Sequence, residues 1–233
     1  MLRQFIAFAL VLFVSCSTAA KAPRLAPTPA DIELHKAIAR VSLTAGKSTL
    51  TATAFAIHPD FLLTAGHVCS NAQALAVDER VPAVFKAEYV DDEDQISSFH
   101  GLQVIKVDAV NDLCLLYSPG HPLKILEIEQ DPKKVRRFDR IFMAGSPFGE
   151  FPILEDCYVS SRESEDQKDV DARGWLSCSC NAKPGNSGGP LIRNGKVISV
   201  VSRGKAIFWP IGSTFITFGS TTASILEFIK FIK

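Results

Sequence analysis

Residues 180–192 read CNAKPGNSGGPLI, with three glycines, two prolines and a single serine, Ser187, in one short span. Glycine and proline interrupt regular structure, so the backbone here must follow an unusual path. A serine hydroxyl attacks a carbonyl only if a base removes its proton and fixed donors meet the oxyanion that develops. This stretch is suited to the second task. Gly185 allows a backbone conformation that turns its N–H inward beside the N–H of Ser187, and Gly188 and Gly189 allow close packing behind the serine. A glycine-rich hairpin would look the same locally, so the rest of the chain must decide.

A base is the next requirement, and the chain has five histidines. His35, His58, His100 and His121 read as surface residues. His67 differs: FLLTAGHVC, residues 61–69, places it directly after an apolar strand, in a turn of small residues. A third group must orient the imidazole and balance its charge. Asp112 in VNDLCLL, residues 110–116, precedes a strongly apolar strand, where a partly buried carboxylate needs a partner. Asp108 in KVDAV is the competitor, without a comparable strand after it.

Around these motifs run twelve short segments of strand character, from AIARVSL at residues 37–43 to GSTFITF at residues 212–218. Several alternate apolar with polar residues, and turn residues separate them, which indicates an all-β sandwich or barrel. The acidic DDED at residues 91–94 and ESEDQKDVDA at residues 163–172 read as solvent loops. Only the C-terminus is clearly helical, because Ile225, Leu226, Phe228, Ile229 and Ile232 fall on one face of a helix over residues 221–232.

Composition limits the partners. The chain has 233 residues, 47% hydrophobic and 21% charged, with 25 basic and 25 acidic side chains. A formal charge of zero gives no field for nucleic acid, and none is expected as a partner. The basic KKVRR at residues 133–137 reads as a solvated loop or strand face. Residues 1–22 have the layout of an export signal: one arginine, an apolar run over residues 5–14, then small and polar residues. Two endings fit. One is cleavage after Ala20 or Ala22; the other is a lipobox-like LFVSC that would leave Cys16 lipidated as a membrane anchor. The chain is therefore expected to be exported, to the periplasm, the envelope or the medium. Residues 23–36, rich in proline, form a tether. Beyond Cys16 five cysteines remain, an odd number, so an internal disulfide framework leaves at least one thiol over. Cys178 and Cys180, two apart on one strand face, are poorly placed to bridge each other. A zinc site joining them to Cys157 lacks a fourth ligand, so neither metal nor cofactor is expected.

The order His67, Asp112, Ser187, within TAGHV, NDLCLL and GNSGGPL, resembles the chymotrypsin-like serine proteases. MAGSPFG at residues 143–149 and Asn186 within GNSGG resemble the HtrA/DegP branch. The likeness covers residues 37–220. It implies two six-stranded Greek-key β-barrels, at about residues 37–125 and 135–220 of a protease domain spanning 37–233. The C-terminal helix follows, and the cleft lies between the barrels.

By the same resemblance His67, Asp112 and Ser187 form the triad, and the N–H groups of Gly185 and Ser187 form the oxyanion hole. Asn181, Ser202 and Gly204 bind the polypeptide substrate. A catalytically silent binding or chaperone-like envelope module on the same fold is the alternative. Asn181 stands where trypsin-like enzymes carry the acid at the pocket floor, and Val201 where glutamate-specific relatives carry a histidine. A small or medium apolar residue before the scissile bond is therefore expected. Asn186 cannot form the ion pair of trypsin-type zymogens, so activation by a newly cut N-terminus is not expected. Only 46 residues follow Ser187, too few for a PDZ domain, and TATAF at residues 51–55 departs from the branch's glycine-rich pattern.

Overall fold

The computed structural model describes residues 33–161, 175–209 and 212–232. The expected export signal, Cys16, most of the tether and the acidic stretch at residues 163–172 lie outside them. Thirteen strands are present among the described residues, in two units. The first is a seven-stranded sheet: β1 (Ile38–Ala45), β2 (Ser48–His58), β3 (Phe61–Ala65), β4 (Val84–Val90), β5 (Ile96–His100), β6 (Gln103–Asp108) and β7 (Leu113–Tyr117), in the order β5-β4-β1-β2-β3-β7-β6. The second is a closed barrel of β8 (Arg140–Gly145), β9 (Ile153–Ser161), β10 (Trp175–Cys178), β11 (Pro190–Arg193), β12 (Lys196–Trp209) and β13 (Gly212–Ser220). Every pairing between these strands is antiparallel. The architecture is the all-β, chymotrypsin-like one. In detail the first unit is a seven-stranded sheet, because β5 extends its edge past the DDED turn.

Two α-helices of eight residues or more accompany the strands among the described residues. α1 (Gly66–Glu79) follows β3 directly, and α2 (Thr222–Ile229) closes the chain. The second was expected; Thr221 caps it by accepting from the Ser224 N–H. The first was not. Its Ala-rich AQALA favours helix intrinsically, but only Gly66, Val68, Cys69 and Ala72 are buried, so no apolar stripe marks it.

Continuous apolar runs in β3 and β7 have a simple cause: both faces of these strands are covered. Along β7, Cys114 and Leu116 enter a core inside the first unit, while Leu113 and Leu115 enter a second core at the seam between the units. Along β2, Ala52, Ala54 and Ala56 face the inner core, and Phe55 faces the seam. From the other side Ile192, Val197 and Val200 fill that seam, with Ile225 and Phe228 of α2. A third core, including Ile141, Met143, Leu191 and Ile198, fills the barrel. Strand alternation therefore sends the odd residues of β2 toward the second unit, and Thr53 is one of them.

Two disulfides form among the described residues, Cys69–Cys114 and Cys157–Cys180. Cys178 is left over, buried, its thiol pushed up to about 12 by burial. The sulfurs of Cys157, Cys178 and Cys180 lie within 4.8 Å of one another, two of them already joined to each other.

Candidate active site

His67 sits in the first turn of α1, where backbone N–H groups lack helical acceptors. The residue before the helix, Ala65, supplies no side-chain cap. Asp112 takes that role from another element. One carboxylate oxygen accepts the His67 backbone N–H at 2.6 Å, and the other lies 2.8 Å from His67 Nδ1. A single carboxylate thus fixes both the position and the ring of the histidine. Asp112 occupies the β6–β7 turn in a left-handed conformation (φ 52°), which aspartate tolerates better than most residues. Burial pushes its pKa up, but hydrogen bonds from His67 and Ser202 and the nearby imidazole outweigh this, and the carboxyl is held below its ordinary value. Asp108 has a different task. It caps the same turn, accepting from the backbone N–H groups of Val110 and Asn111 and from the Asn111 side chain.

Ser202, expected at the substrate-binding edge, also reaches Asp112: its hydroxyl donates to the second carboxylate oxygen. A bulge explains the aim. Val201 pairs with Gly219 and Arg203 with Phe218, leaving Ser202 as the extra residue of β12. Its carbonyl accepts from Ser187 Oγ at 3.4 Å, so the hydroxyl rests on this carbonyl and makes no bond to the imidazole.

Gly185 has φ 98°, and a Cβ there would collide with the Ser146 carbonyl oxygen. Neither Gly185 N–H nor Ser187 N–H has an acceptor among the described residues, whereas the intervening Asn186 N–H bonds to the Lys183 carbonyl. The orientation of the Gly185 donor is set from outside. Phe148 N–H donates to the Pro184 carbonyl at 2.6 Å, and in a trans peptide the next N–H, that of Gly185, points the opposite way. Phe148 itself has φ 54° within the Pro147–Gly149 turn.

Thr53 anchors the loop to the first unit. Its N–H donates to the Ser187 carbonyl at 2.9 Å; its hydroxyl donates to the Gly185 carbonyl at 2.7 Å and accepts from Ser146 N–H at 2.9 Å. It is fully buried, and its own carbonyl accepts from Thr64, just ahead of His67. Sequence reading missed Thr53 and Phe148 as contributors. For Thr53 the signal was the TATAF departure at residues 51–55, which marks the place where the hydroxyl enters; Phe148 lay within MAGSPFG, read only as a likeness.

Of the remaining expected residues, Asn181 donates its N–H to Glu155, and its buried Oδ1 has no partner among the described residues. Gly204 is exposed on β12, beside the Ala182 carbonyl. His121, read as a surface residue, is buried: it stacks on Phe99 with centroids 6.3 Å apart and bonds to the His58 carbonyl. Burial lowers its pKa, favouring the neutral ring.

Fold and site geometry together have the chymotrypsin-like architecture. The chain belongs to the trypsin-like peptidase domain family, whose model matches residues 52–200. Its structure resembles the HtrA-type protease AlgW determined with a tripeptide, at a TM-score of 0.66 and 21% identity, over 87% of this chain and 62% of that one. A serine endoprotease from Yersinia pestis matches at 0.65 and 16%, over 88% and 67%. The active form of the Rv3671c protease from M. tuberculosis matches at 0.65 and 19%, over 87% and 83%. The chain thus spans less than two thirds of AlgW's length. No curated protein matches the chain.

Proposed function

We propose that the protein is an exported serine endopeptidase that cuts polypeptides through an acyl-enzyme. The observation that carries this reading is the double grip of Asp112 on His67, linked through Ser202 to a serine flanked by two unengaged N–H groups. Ser187 turns from the Ser202 carbonyl to His67 Nε2, gives up its proton, and forms a bond to the scissile carbonyl carbon. The oxyanion accepts from Gly185 and Ser187 N–H, and Asp112 balances the imidazolium. His67 then protonates the leaving amine as the C–N bond breaks. Water, deprotonated by the same imidazole, releases the acyl group in the second half.

No metal or cofactor enters this scheme. A small or medium apolar residue before the scissile bond remains the proposed preference, and the export signal at residues 1–22 delivers the enzyme outside the cytoplasm.

Ser187→Ala should leave a folded protein whose turnover of casein falls on the order of 10⁴-fold. A fluorophosphonate probe should label the unsubstituted protein at Ser187 and not the variant. Undiminished cleavage by the variant would overturn the reading.

A further inference from the structure

Beside His67 a cavity of about 570 Å³ runs along the cleft, lined by Val110, Trp175, Ser202 and Arg203 among others. Arg203 is exposed, and its guanidinium lies 5.1 Å from the Trp175 ring centroid and 5.9 Å from that of Phe218. Stacking of this kind holds a cation in place without neutralising it. Two more cations lie on neighbouring segments, outside the cavity lining. Lys205 is exposed two residues further along β12. Lys183 Nζ sits 4.1 Å from the Phe215 centroid, on a segment whose Ala182 lies against Gly204.

None of the three has a carboxylate partner among the described residues. The carboxylate on the cavity wall, Asp112, is already turned to His67 and Ser202. In a chain whose formal charge is zero, this stretch is a local excess of positive charge among the described residues.

The backbone shows where a substrate would lie. β11 pairs with β12 only as far as Val200, so beyond it no strand among the described residues covers the edge of β12 on the Ser187 side. An extended peptide can add there. Both existing neighbours of β12 are antiparallel. An antiparallel addition puts the cleaved residue near Ser202 and the residues N-terminal to it along Arg203–Lys205.

We infer that the cleft selects polypeptides with acidic side chains shortly before the cleaved residue, with Arg203 as the principal contact. This rests on the serine-peptidase reading above and names its substrate class. The apolar preference at the cleaved residue itself is unaffected.

The test is a pair of peptides, identical except for Glu or Gln in the three positions before the cleaved residue. An exposed charge contact predicts a kcat/KM about five-fold higher for the Glu peptide at low salt, fading as salt screens it. Arg203→Gln should reduce that ratio to within about two-fold, and Arg203→Lys should retain part of it. Equal cleavage of both peptides, or an unchanged ratio in Arg203→Gln, would overturn the inference. If neither peptide is cut, the peptidase reading fails on its own. Fluorescence anisotropy of the same peptides on the Ser187→Ala protein then decides about the cleft: tighter binding of the Glu peptide, lost in the Arg203→Gln double variant, supports it, and equal binding overturns it.

Discussion

Thr53 makes three hydrogen bonds to the loops around Ser187 without touching the space a substrate would fill. Its effect on the reaction must therefore pass through the Gly185 and Ser187 peptides. Thr53→Val keeps the shape and the backbone N–H but leaves the Gly185 carbonyl and the Ser146 N–H without their side-chain partner. A buried group left unpaired costs about 1–3 kcal/mol, so the loop is expected to relax and misplace its donors. Loss of one oxyanion donor costs about 10²-fold in turnover. Steady-state kinetics on a peptide ester should show kcat lower by about 10- to 100-fold with KM little changed. Thr53→Ser, which restores the hydroxyl, should recover most of it. A Thr53→Ser variant as impaired as Thr53→Val would mean that the hydroxyl alone does not carry the effect.

Among the elements, α1 and the turn before β7 carry the proposed acid–base pair, and a disulfide joins α1 to β7 just beyond it. Cys69 lies two residues after His67, and Cys114 two residues after Asp112. Closing a span of 45 residues constrains the unfolded chain by about 4 kcal/mol on the loop-entropy account. Urea denaturation of Cys69→Ala/Cys114→Ala should show a loss approaching this value. A reductant should destabilise the unsubstituted protein more than the double variant.

The strands that support this arrangement were legible in the sequence because burial on one or both faces leaves alternating or continuous apolar runs. β5 was not, since ISSFH is an exposed edge with two serines. α1 was hidden by its thin buried face and the lack of a side-chain cap. His67, Asp112 and Ser187 stood out through local motifs. Thr53 did not, because its partners Ser146 and Gly185 lie 93 and 132 residues away, and no local pattern encodes such a contact.

At the scale of the whole molecule, the site is built across a seam, and the seam has its own core. Phe55 is completely buried there, packed among residues of both units and of α2. Phe55→Ala should cost about 3–5 kcal/mol. It should also separate two transitions: in a urea series, peptidase activity should disappear at lower concentration than far-UV circular dichroism, because docking fails before the strands melt. Coincident midpoints would mean that the two units unfold as one.

The hydrogen bonds from Thr53 to the nucleophile loop also have a consequence in time. A ribosome delivers the chain from its N-terminus, so the half with His67 and Asp112 emerges well before the half with Ser187. The early half has a base and nothing to activate. The late half has a hydroxyl whose oxyanion donors are not anchored until β2 receives it. On the proposed chemistry neither half cuts a neighbouring nascent chain, and hydrolytic power arrives only when synthesis and docking are both complete.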